Sequence, residues 1–242
     1  NFAKAFGITF LDKQGKKQFA HQNSWGISTR TIGIMVLMHS DDSGLVIPPA
    51  VAENQVVIIP IAFEKDENVL KEAKKLEETL KKFNPILDTR TEYSPGWKFS
   101  DWELKGIPIR IEIGPKDLEN KQAVLVTRHN KNKTPIKLSM IEKAVQSSLE
   151  QMQKEMFEKA QLILKHAIRE TRTKQDLLSA IKDKKLALTL WCNTSECEEK
   201  IKEITQGAKS INIPFEYQKN ISGNCPICNK PATCKALFGK SY

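Results

Sequence analysis

The middle of the chain carries an apolar pattern that predicts alternating strands and helices. Residues 56–61 form a continuous apolar run, which is typical of a strand buried on both faces. Three- and four-residue spacings then predict a helix with one apolar stripe, made of Val69, Ala73, Leu76, Leu80 and Phe83. Further strands are predicted at 85–90, 108–113 and 123–127. This alternation indicates an α/β layer with a partly parallel sheet.

The segment before this layer has a different pattern. Residues 8–11 and 17–21 flank a hairpin-like turn and are predicted to form two short strands. Small and polar residues then fill 23–30, and a continuous apolar run follows at 34–38. We predict a strand over the polar stretch that carries its side chains into a pocket, and then a buried helix over the apolar stretch.

The last part of the chain is predicted to begin with a long helix. Apolar residues at helical spacing run from Leu138 to about Arg172. Short helices and strands are then predicted to alternate, at 174–182, 186–191, 198–205 and 210–215.

Composition narrows the class of protein. Hydrophobic residues make up 40% and charged residues 28% of the 242 positions, which is ordinary for a folded globular protein and excludes a disordered chain. No apolar run approaches the roughly 20 residues that cross a bilayer, so we expect no membrane association. The first residues carry neither an initiator Met nor the apolar core of a signal peptide, and we expect a processed or truncated product.

The formal net charge of +9 favours an anionic partner such as nucleic acid through long-range steering. Many soluble proteins are basic without binding nucleic acid, however. Lysines interleaved with glutamates, as in residues 64–82, are typical of a solvated helix face. Charge alone leaves both interpretations open.

All five cysteines lie in the last quarter of the chain, and four of them have the spacing of metal ligands. Cys192 and Cys197 form one close pair, and Cys225 and Cys228 form a second. Two such knuckles place four thiolates about 2.3 Å from one Zn²⁺ and leave no open position for catalysis. Unrelated reduced thiols, or a redox pair at Cys225 and Cys228, are the alternatives. Cys234 is left over as a buried or free thiol.

Residues 26–30 have the composition of a nucleotide pocket. Gly26 and Gly33 allow a flat ligand to approach the backbone closely, and Arg30 offers a guanidinium to an anion or a ring face. A tight strand between a turn and a helix explains the same residues equally simply.

Several strings resemble one known family in chain order. Residues 26–36 resemble motif 3 of class II aminoacyl-tRNA synthetases, which is Gly-rich, then has an Arg, and continues as an apolar helix. Residues 23–49 resemble the prolyl-specific branch in its eukaryotic and archaeal form. The resemblance to the anticodon-binding domain of that branch lies in residues 93–99, 102–108 and 112–118. The resemblance to its zinc domain lies in the two cysteine knuckles and in residues 237–242.

The resemblance implies a fold and an activity. The fold is a mixed α/β and α+β arrangement with the end of a class II antiparallel-sheet catalytic domain at 1–52, an anticodon-binding α/β domain at 53–155, and a small α/β zinc-binding domain at 156–242. The activity is ATP-dependent activation of L-proline, with Mg²⁺, and its transfer to tRNAPro in the cytoplasm. Motifs 1 and 2 are not among these residues, so we expect the C-terminal portion of a longer enzyme that dimerises through the absent part.

Two other functions stay open at this point. One is a non-catalytic tRNA-binding module made of the anticodon-binding domain and the zinc tail, and the other is a generic basic RNA-binding protein stabilised by zinc. The motif 3 residues around Arg30 favour the enzyme, because a pure binding module has no need of them.

The resemblance also implies roles for the residues near motif 3. Arg30 is similar to the arginine that packs on adenine and neutralises phosphate charge in bound ATP, and Ser28 is similar to a nucleotide-contacting position. Ser24, Trp25 and Gly26 are similar to the strand that lines the proline pocket. Plain core packing is the alternative for Trp25.

Three further residues resemble the positions that recognise the two guanines of a proline anticodon, namely Glu103, Arg110 and Asp117. A carboxylate accepts from guanine N1–H and N2–H₂, whereas Arg donates to O6 and N7. A surface ion-pair network is the alternative. Lys131 or Lys133 is expected to add a contact.

The tail departs from some relatives in one respect. Their second knuckle often has a single residue between its cysteines, whereas Pro226 and Ile227 stand there in this chain. The ending Ser241-Tyr242 resembles that of the family, whose last residue reaches back toward the active site; a frayed terminus is the alternative.

Overall fold

The computed structural model describes residues 2–241, so Tyr242 and the role expected for it lie outside the described residues. The chain divides into two compact units, the first ending at Leu149 and the second beginning at Glu150. The long helix α6 runs through this division. Within residues 2–241, no helix has the length and apolarity that a membrane span requires.

The first unit begins with short elements: α1 (Phe2–Ala5), β1 (Thr9–Leu11), β2 (Lys17–Phe19) and α2 (Arg30–His39). Strands β1 and β2 form the predicted antiparallel hairpin. The carboxylate of Asp12 accepts hydrogen bonds from the backbone N–H groups of Gln14 and Lys16, at 3.0 and 2.8 Å, and so closes the turn.

The strand predicted over residues 23–30 is wrong, and so is the buried position of the helix that follows. Residues 20–28 form no helix or strand, and Arg30 is the first residue of α2. Strands β1 and β2 pair only with each other, so the described residues offer residues 23–30 no partner for strand hydrogen bonds. Helix α2 has no buried residue, because no described layer covers its apolar side chains.

The core of the first unit is a five-stranded sheet. Its strands are β3 (Val56–Pro60), β4 (Ile86–Leu87), β5 (Ile109–Ile113), β6 (Gln122–Thr127) and β7 (Lys133–Lys137). The order is β4-β3-β5-β6-β7, in which β3 is parallel to β4 and β5 and the remaining pairs are antiparallel. The partly parallel sheet predicted from sequence is confirmed, with β7 as an additional edge strand.

Helices cover this sheet: α3 (Glu67–Thr79), α4 (Pro95–Lys105), α5 (Pro115–Glu119) and α6 (Ile141–Ala167). The buried stripe of α3, which holds Val69, Ala73 and Leu76, packs with Ile58 and Ile111 of the sheet. Side chains from the start of α6 join the same cluster. The alternate residues Val57 and Ile59 pack with side chains of α4, so the two faces of β3 are covered by different helices.

Sequence patterning did not predict α4. The hydroxyl of Ser94 caps its first turn by accepting from Trp97 N–H at 3.3 Å, and Pro95 occupies the first helical position. The helix ends at Gly106, whose φ of 76° and ψ of 24° lie in the left-handed region. The buried lysine Lys98 interrupts the apolar stripe, which explains why the pattern gave no helical signal.

Asp88 is the centre of a buried polar cluster beneath α4. It accepts hydrogen bonds from Arg90 Nη2 at 2.7 Å and from Trp102 Nε1 at 2.8 Å. Lys98 Nζ lies 3.7 Å from its Oδ1, and Arg90 also donates to Asp101 at 2.9 Å. The side chain of Asp88 is only 1% exposed, so these donors supply the hydrogen bonds that water supplies elsewhere.

We expect this cluster to make the first unit sensitive to acid. Burial alone would raise the pKa of Asp88, but the hydrogen bonds from Arg90 and Trp102 outweigh it and lower the pKa from 3.8 to about 2. Because the folded pKa is the lower one, this stabilisation is complete above about pH 4 and is lost as the pH falls toward 2. It amounts to about 2 kcal/mol at neutral pH.

Thermal unfolding of the wild type and of Asp88→Asn between pH 7 and pH 2 measures this effect. The difference in Tm between the two proteins is expected to shrink below pH 4, as the wild-type carboxylate takes up its proton. Asp42→Asn, at an exposed aspartate of the same unit, is the matched control. A difference in Tm for Asp88→Asn that stays constant down to pH 2 contradicts the prediction.

The second unit contains a four-stranded sheet with two helices. Its elements after α6 are β8 (Ile168–Thr171), α7 (Lys174–Lys182), β9 (Leu186–Trp191), α8 (Ser195–Ile204), β10 (Lys209–Asn212) and β11 (Cys234–Gly239). The strand order is β10-β11-β9-β8, with β8 parallel to β9 and the other pairs antiparallel. The predictions of α7 and β9 match the structure. The helix predicted to continue to Arg172 is wrong, because β8 occupies its last turn, and β11 was not predicted.

Candidate nucleic-acid interface and metal centre

A cavity of about 240 Å³ lies where the end of α4 meets the start of β5 and the β6–β7 connection. Four charged side chains that sequence reasoning had selected line it: Glu103, Arg110, Lys131 and Lys133. The fold thus brings Glu103 and Arg110 together, and it brings both candidate lysines to the same place.

Arg110 is held in a fixed orientation by its neighbours. Its Nε and Nη2 donate to Glu112 Oε1 at 2.9 and 2.8 Å, and its Nη1 donates to the carbonyl oxygen of Phe99 at 3.4 Å. The guanidinium carbon lies 4.6 Å from the centroid of the Phe99 ring. Lys133 Nζ also approaches Glu112, at 3.5 Å. A guanidinium fixed in this way presents its remaining N–H groups to a ligand without losing side-chain entropy on binding.

Glu103 is ionised and anchored at the rim of the same cavity. Its Oε1 lies 2.8 Å from Lys131 Nζ, and this hydrogen bond outweighs burial and lowers the pKa of Glu103 below its usual value. Lys131 Nζ also donates to Ser43 Oγ at 2.7 Å. The carboxylate is therefore available as an acceptor over the whole physiological pH range.

Asp117 lies away from this cavity. Arg110 stands near the start of β5, whereas Gly114 follows the end of that strand, about 13 Å further along at about 3.3 Å per residue. Asp117 Oδ2 accepts from the Gly114 N–H at 2.9 Å and so caps the start of α5. The seven-residue spacing of Glu103, Arg110 and Asp117 thus does not place the third residue with the other two.

Arg128 ties the cavity wall to the segment before the sheet. Its Nη1 and Nη2 donate to the two carboxylate oxygens of Asp41 at 2.8 and 2.6 Å, and its Nε donates to the Glu103 carbonyl oxygen at 2.8 Å. The side chain of Arg128 is 3% exposed. Hydrogen bonds from Arg128, opposed by burial, hold the pKa of Asp41 well below its usual range.

The four cysteines of the two predicted knuckles meet in the second unit. Cys192 follows β9, Cys197 lies in the first turn of α8, and Cys225 and Cys228 belong to a tight turn closed by Asn229, whose φ is 58°. Their Sγ atoms all lie within 4.8 Å of one another. The Sγ atoms of Cys192 and Cys228 are 3.7 Å apart.

This donor set fits zinc. Zn–S bonds of 2.3 Å in a tetrahedron place the sulfur atoms about 3.8 Å apart, close to the Cys192–Cys228 separation. Burial opposes ionisation of Cys192 and Cys197. Hydrogen bonds from Thr194 and neighbouring thiols nevertheless lower the pKa of Cys192 to about 7, whereas burial and the thiols of Cys192 and Cys228 raise the pKa of Cys197 to about 12. Four thiolates this close together would need a cation to balance their charge, and Zn²⁺ would supply it. Cys234 is buried outside the cluster, with its Sγ 3.8 Å from the Trp191 carbonyl oxygen.

Comparison with known proteins finds one family match in the unit that holds the cavity and another in the unit that holds the cysteine cluster. Residues 55–148 match a family described as "Anticodon binding domain", and residues 175–242 match one described as "Prolyl-tRNA synthetase, C-terminal". Over 100% of its length, the chain is 44% identical to the proline--tRNA ligase of Lachnoclostridium phytofermentans and 43% identical to that of Ruminiclostridium cellulolyticum. It is 42% identical to proline--tRNA ligase 2 of Bacillus cereus. This chain resembles prolyl-tRNA synthetases throughout.

The chain spans about half the length of the curated relatives it matches, since each alignment covers 50% of the relative. The resemblance to prolyl-tRNA synthetases that the sequence motifs predicted is confirmed. So is the mixed α/β architecture with several sheets.

The residues that resemble motif 3 of these synthetases lie on the surface. Ser24, Ser28 and Arg30 are exposed, and the side chain of Trp25 is 94% exposed, so core packing does not explain this tryptophan. Among residues 2–241, no heavy atom beyond the neighbouring residues lies within 4 Å of the position that a Cβ on Gly26 would take. The described residues 2–52 form a two-stranded hairpin, two α-helices and a 3₁₀ turn at Pro49–Val51, and not the larger antiparallel sheet expected of a catalytic domain.

Sequence reasoning missed three residues of the anticodon-domain cavity and its surroundings: Phe99, Glu112 and Arg128. Two of them carried a usable signal. Phe99 and Glu103 are four apart, which places them on one helix face once α4 is known. Arg110 and Glu112 are two apart and therefore share one face of β5. The pairing of Arg128 with Asp41 spans 87 residues and has no local signal.

Proposed function

We propose that this chain binds tRNAPro for a proline--tRNA ligase, which activates L-proline with ATP and Mg²⁺ and transfers it to that tRNA. The sequence identity of 44% over the whole chain carries this proposal. The presence of Glu103 and Arg110 in one cavity of the anticodon-binding domain supports it, because the first offers hydrogen-bond acceptors and the second offers donors to a base.

The chemistry of the cavity suits guanine. The Glu103 carboxylate accepts from N1–H and N2–H₂ of a guanine, and the Arg110 guanidinium donates to O6 and N7. Lys131 and Lys133 add positive charge for the adjoining phosphates. Arg110 can keep its ion pair with Glu112 and donate its remaining N–H groups to the base, and a phosphate can replace Glu103 as the partner of Lys131. Asp117, at the other end of β5, is proposed as a contact for a second nucleotide.

The cysteine cluster is proposed as a structural zinc site. Cys192, Cys197, Cys225 and Cys228 would hold the ion, which would supply a fixed crosslink between two distant parts of the chain. Four sulfur ligands leave no coordination position for a substrate, so the site stabilises the fold of the second unit and takes no part in the reaction.

The motif 3 segment is proposed to act together with residues outside this chain. Arg30 would pack on the adenine of ATP and Ser28 would contact the nucleotide, while Ser24, Trp25 and Gly26 would line the proline pocket. Their present exposure is consistent with this role, since such side chains need a covering surface. The whole enzyme is proposed to be a cytoplasmic homodimer.

Binding of two RNA transcripts tests the tRNA part of this proposal. One is tRNAPro, and the other carries adenines in place of the two anticodon guanines. The wild-type chain is expected to bind the first at least tenfold more tightly, because one good bidentate contact discriminates by about 1–3 kcal/mol. Arg110→Lys keeps the charge but loses the fork, and is expected to remove most of this preference.

Arg169→Lys is the matched control, since Arg169 pairs with Asp183 on the second unit and is remote in sequence from the cavity. It is expected to preserve the preference. Equal binding of the two RNAs by the wild-type chain overturns the proposed recognition.

A further inference from the structure

Two exposed aromatic rings stack on each other beside the first turn of α4. The centroids of Tyr93 and Trp97 lie 3.8 Å apart with 11° between the ring planes. The two residues remain 38% and 44% exposed. A stacked pair that leaves this much ring surface in water offers a flat apolar platform, and nucleobases bind to such platforms in single-stranded RNA.

Arg90 fixes the pair from one edge. Its guanidinium carbon lies 5.3 Å from the centroid of each ring, and the guanidinium is itself held by Asp88 and Asp101. These contacts limit the rotation of both rings. The platform is therefore built in advance of any ligand, which lowers the entropic cost of binding.

The cavity beside the platform has the chemistry of a base edge and not of a phosphate. It measures about 310 Å³, and its lining includes Tyr93 and Arg90 together with Glu64, Glu92 and Thr91. The two glutamates disfavour a phosphate, because the two cations that also line the cavity, Arg90 and Lys98, are already paired with Asp88. Carboxylate and hydroxyl oxygens instead accept hydrogen bonds from the ring N–H and amino groups of a base.

The platform and the Glu103 cavity lie on opposite flanks of α4. Trp97 belongs to the flank that contacts Arg90, and Phe99 belongs to the flank that contacts Arg110. The row between them, which includes the buried Lys98, faces the sheet. At 100° per residue these flanks are separated by the width of a helix, about 10–12 Å. That is about three stacked bases at 3.4 Å each.

Small residues form the exposed ridge between the two flanks. Gly96 and Ser100 are exposed and four residues apart, so they lie one above the other on the outer face of α4. In the part of the chain that the structure describes, no heavy atom outside the helix backbone and the neighbouring residues lies within 4 Å of the position that a Cβ on Gly96 would take. A single RNA strand can therefore cross the helix here without meeting a long side chain.

We propose that Tyr93 and Trp97 stack a nucleobase of the same RNA whose anticodon is recognised at Glu103 and Arg110, with the strand crossing α4 over Gly96 and Ser100. This inference rests on the proposed tRNA binding. It adds a second contact that does not depend on the anticodon guanines, because every base offers a π face.

The two RNA transcripts described above separate this contact from anticodon recognition. Trp97→Leu keeps an apolar side chain but removes the ring, and is expected to weaken binding of both transcripts by the same factor, about tenfold. Arg110→Lys, in contrast, weakens mainly the transcript with the native anticodon. Trp97→Phe restores a ring and is expected to recover most of the lost affinity for both.

Controls keep this test decisive. Phe157→Leu removes an exposed aromatic ring from a different helix and is expected to change neither affinity. Tyr93→Leu, at a residue ahead of α4, is the second variant should Trp97→Leu lower the Tm. If wild-type binding of tRNAPro is present and both leucine variants keep it unchanged, the stacking proposal is overturned while the proposed function stands. If the wild type fails to bind tRNAPro, both fall.

Discussion

Removing the proposed zinc with a chelator is expected to unfold the second unit and to leave the first unit folded. All four cysteines of the cluster belong to the second unit, and a metal ion bound by them would join the end of β9 and the start of α8 to a turn some thirty residues later. Structural zinc contributes about 10–16 kcal/mol of apparent binding free energy in small domains. This is as large as the whole stability of a typical domain, about 5–15 kcal/mol.

Thermal unfolding followed by circular dichroism, with zinc assayed on the same sample, measures the effect. The chelated wild type and Cys192→Ser are each expected to lose the transition of the second unit and to retain that of the first. Cys234→Ser is the matched control, because Cys234 is a buried cysteine of the same unit that lies outside the cluster. Unchanged unfolding of both chelated wild type and Cys192→Ser would show that the cluster is an ordinary group of buried thiols.

Gly106→Ala is expected to destabilise the first unit by about 3 kcal/mol. The added methyl group would overpack the site, and residues with a Cβ rarely adopt the positive φ found there. Gly106 has a φ of 76°, and a Cβ added there would lie 2.6 Å from both the Cβ and the carbonyl oxygen of Leu45. This backbone has little freedom to move away, because Leu45 N–H donates to the Leu104 carbonyl oxygen at 3.0 Å and Ile47 N–H donates to that of Gly106 at 3.3 Å.

Urea denaturation of Gly106→Ala and of Gly96→Ala provides the comparison. Both variants add one methyl group to a glycine of the α4 region. Gly96, however, lies within the helix with open space at its Cβ position, so its substitution is expected to leave stability unchanged or raise it by up to about 1 kcal/mol. If the two variants unfold at the same urea concentration, a Cβ at position 106 does not clash with Leu45 and the prediction is wrong.

The elements that could be predicted from sequence are those whose pattern is local and regular. The apolar stripe of α3 and the continuous run of β3 repeat at the helical and strand periods, and both elements formed where expected. Strand β8 could not be distinguished from the helix before it, because its partner is β9 and the first pair, Ile168 with Leu186, is 18 residues apart. Strand β11 likewise depends on two partners distant in sequence.

The candidate sites likewise differ in how much of them a local sequence pattern reveals. The cysteine cluster was predicted because the two close pairs are visible as spacing, and only their meeting depends on the fold. Glu103 and Arg110 were selected through a resemblance, and their common cavity depends on where α4 ends relative to β5. The hydrogen bond from Gly114 to Asp117 is local, but the distance of Asp117 from the cavity depends on the length of β5. The exposure of Trp25 depends on which surfaces the fold places beside residues 20–28, and no local pattern contains that.

The position of β11 in its sheet has a consequence for synthesis. This strand lies between β9 and β10, yet it follows both of them in the chain. While the ribosome is making this region, β10 has no strand beside it, and one edge of β9 stays unpaired until residues 234–239 have emerged. Unpaired strand edges invite association with other chains. The nascent second unit is therefore most exposed to aggregation in the interval before its last strand is made, and the knuckle at Cys225 and Cys228 emerges just before that interval closes.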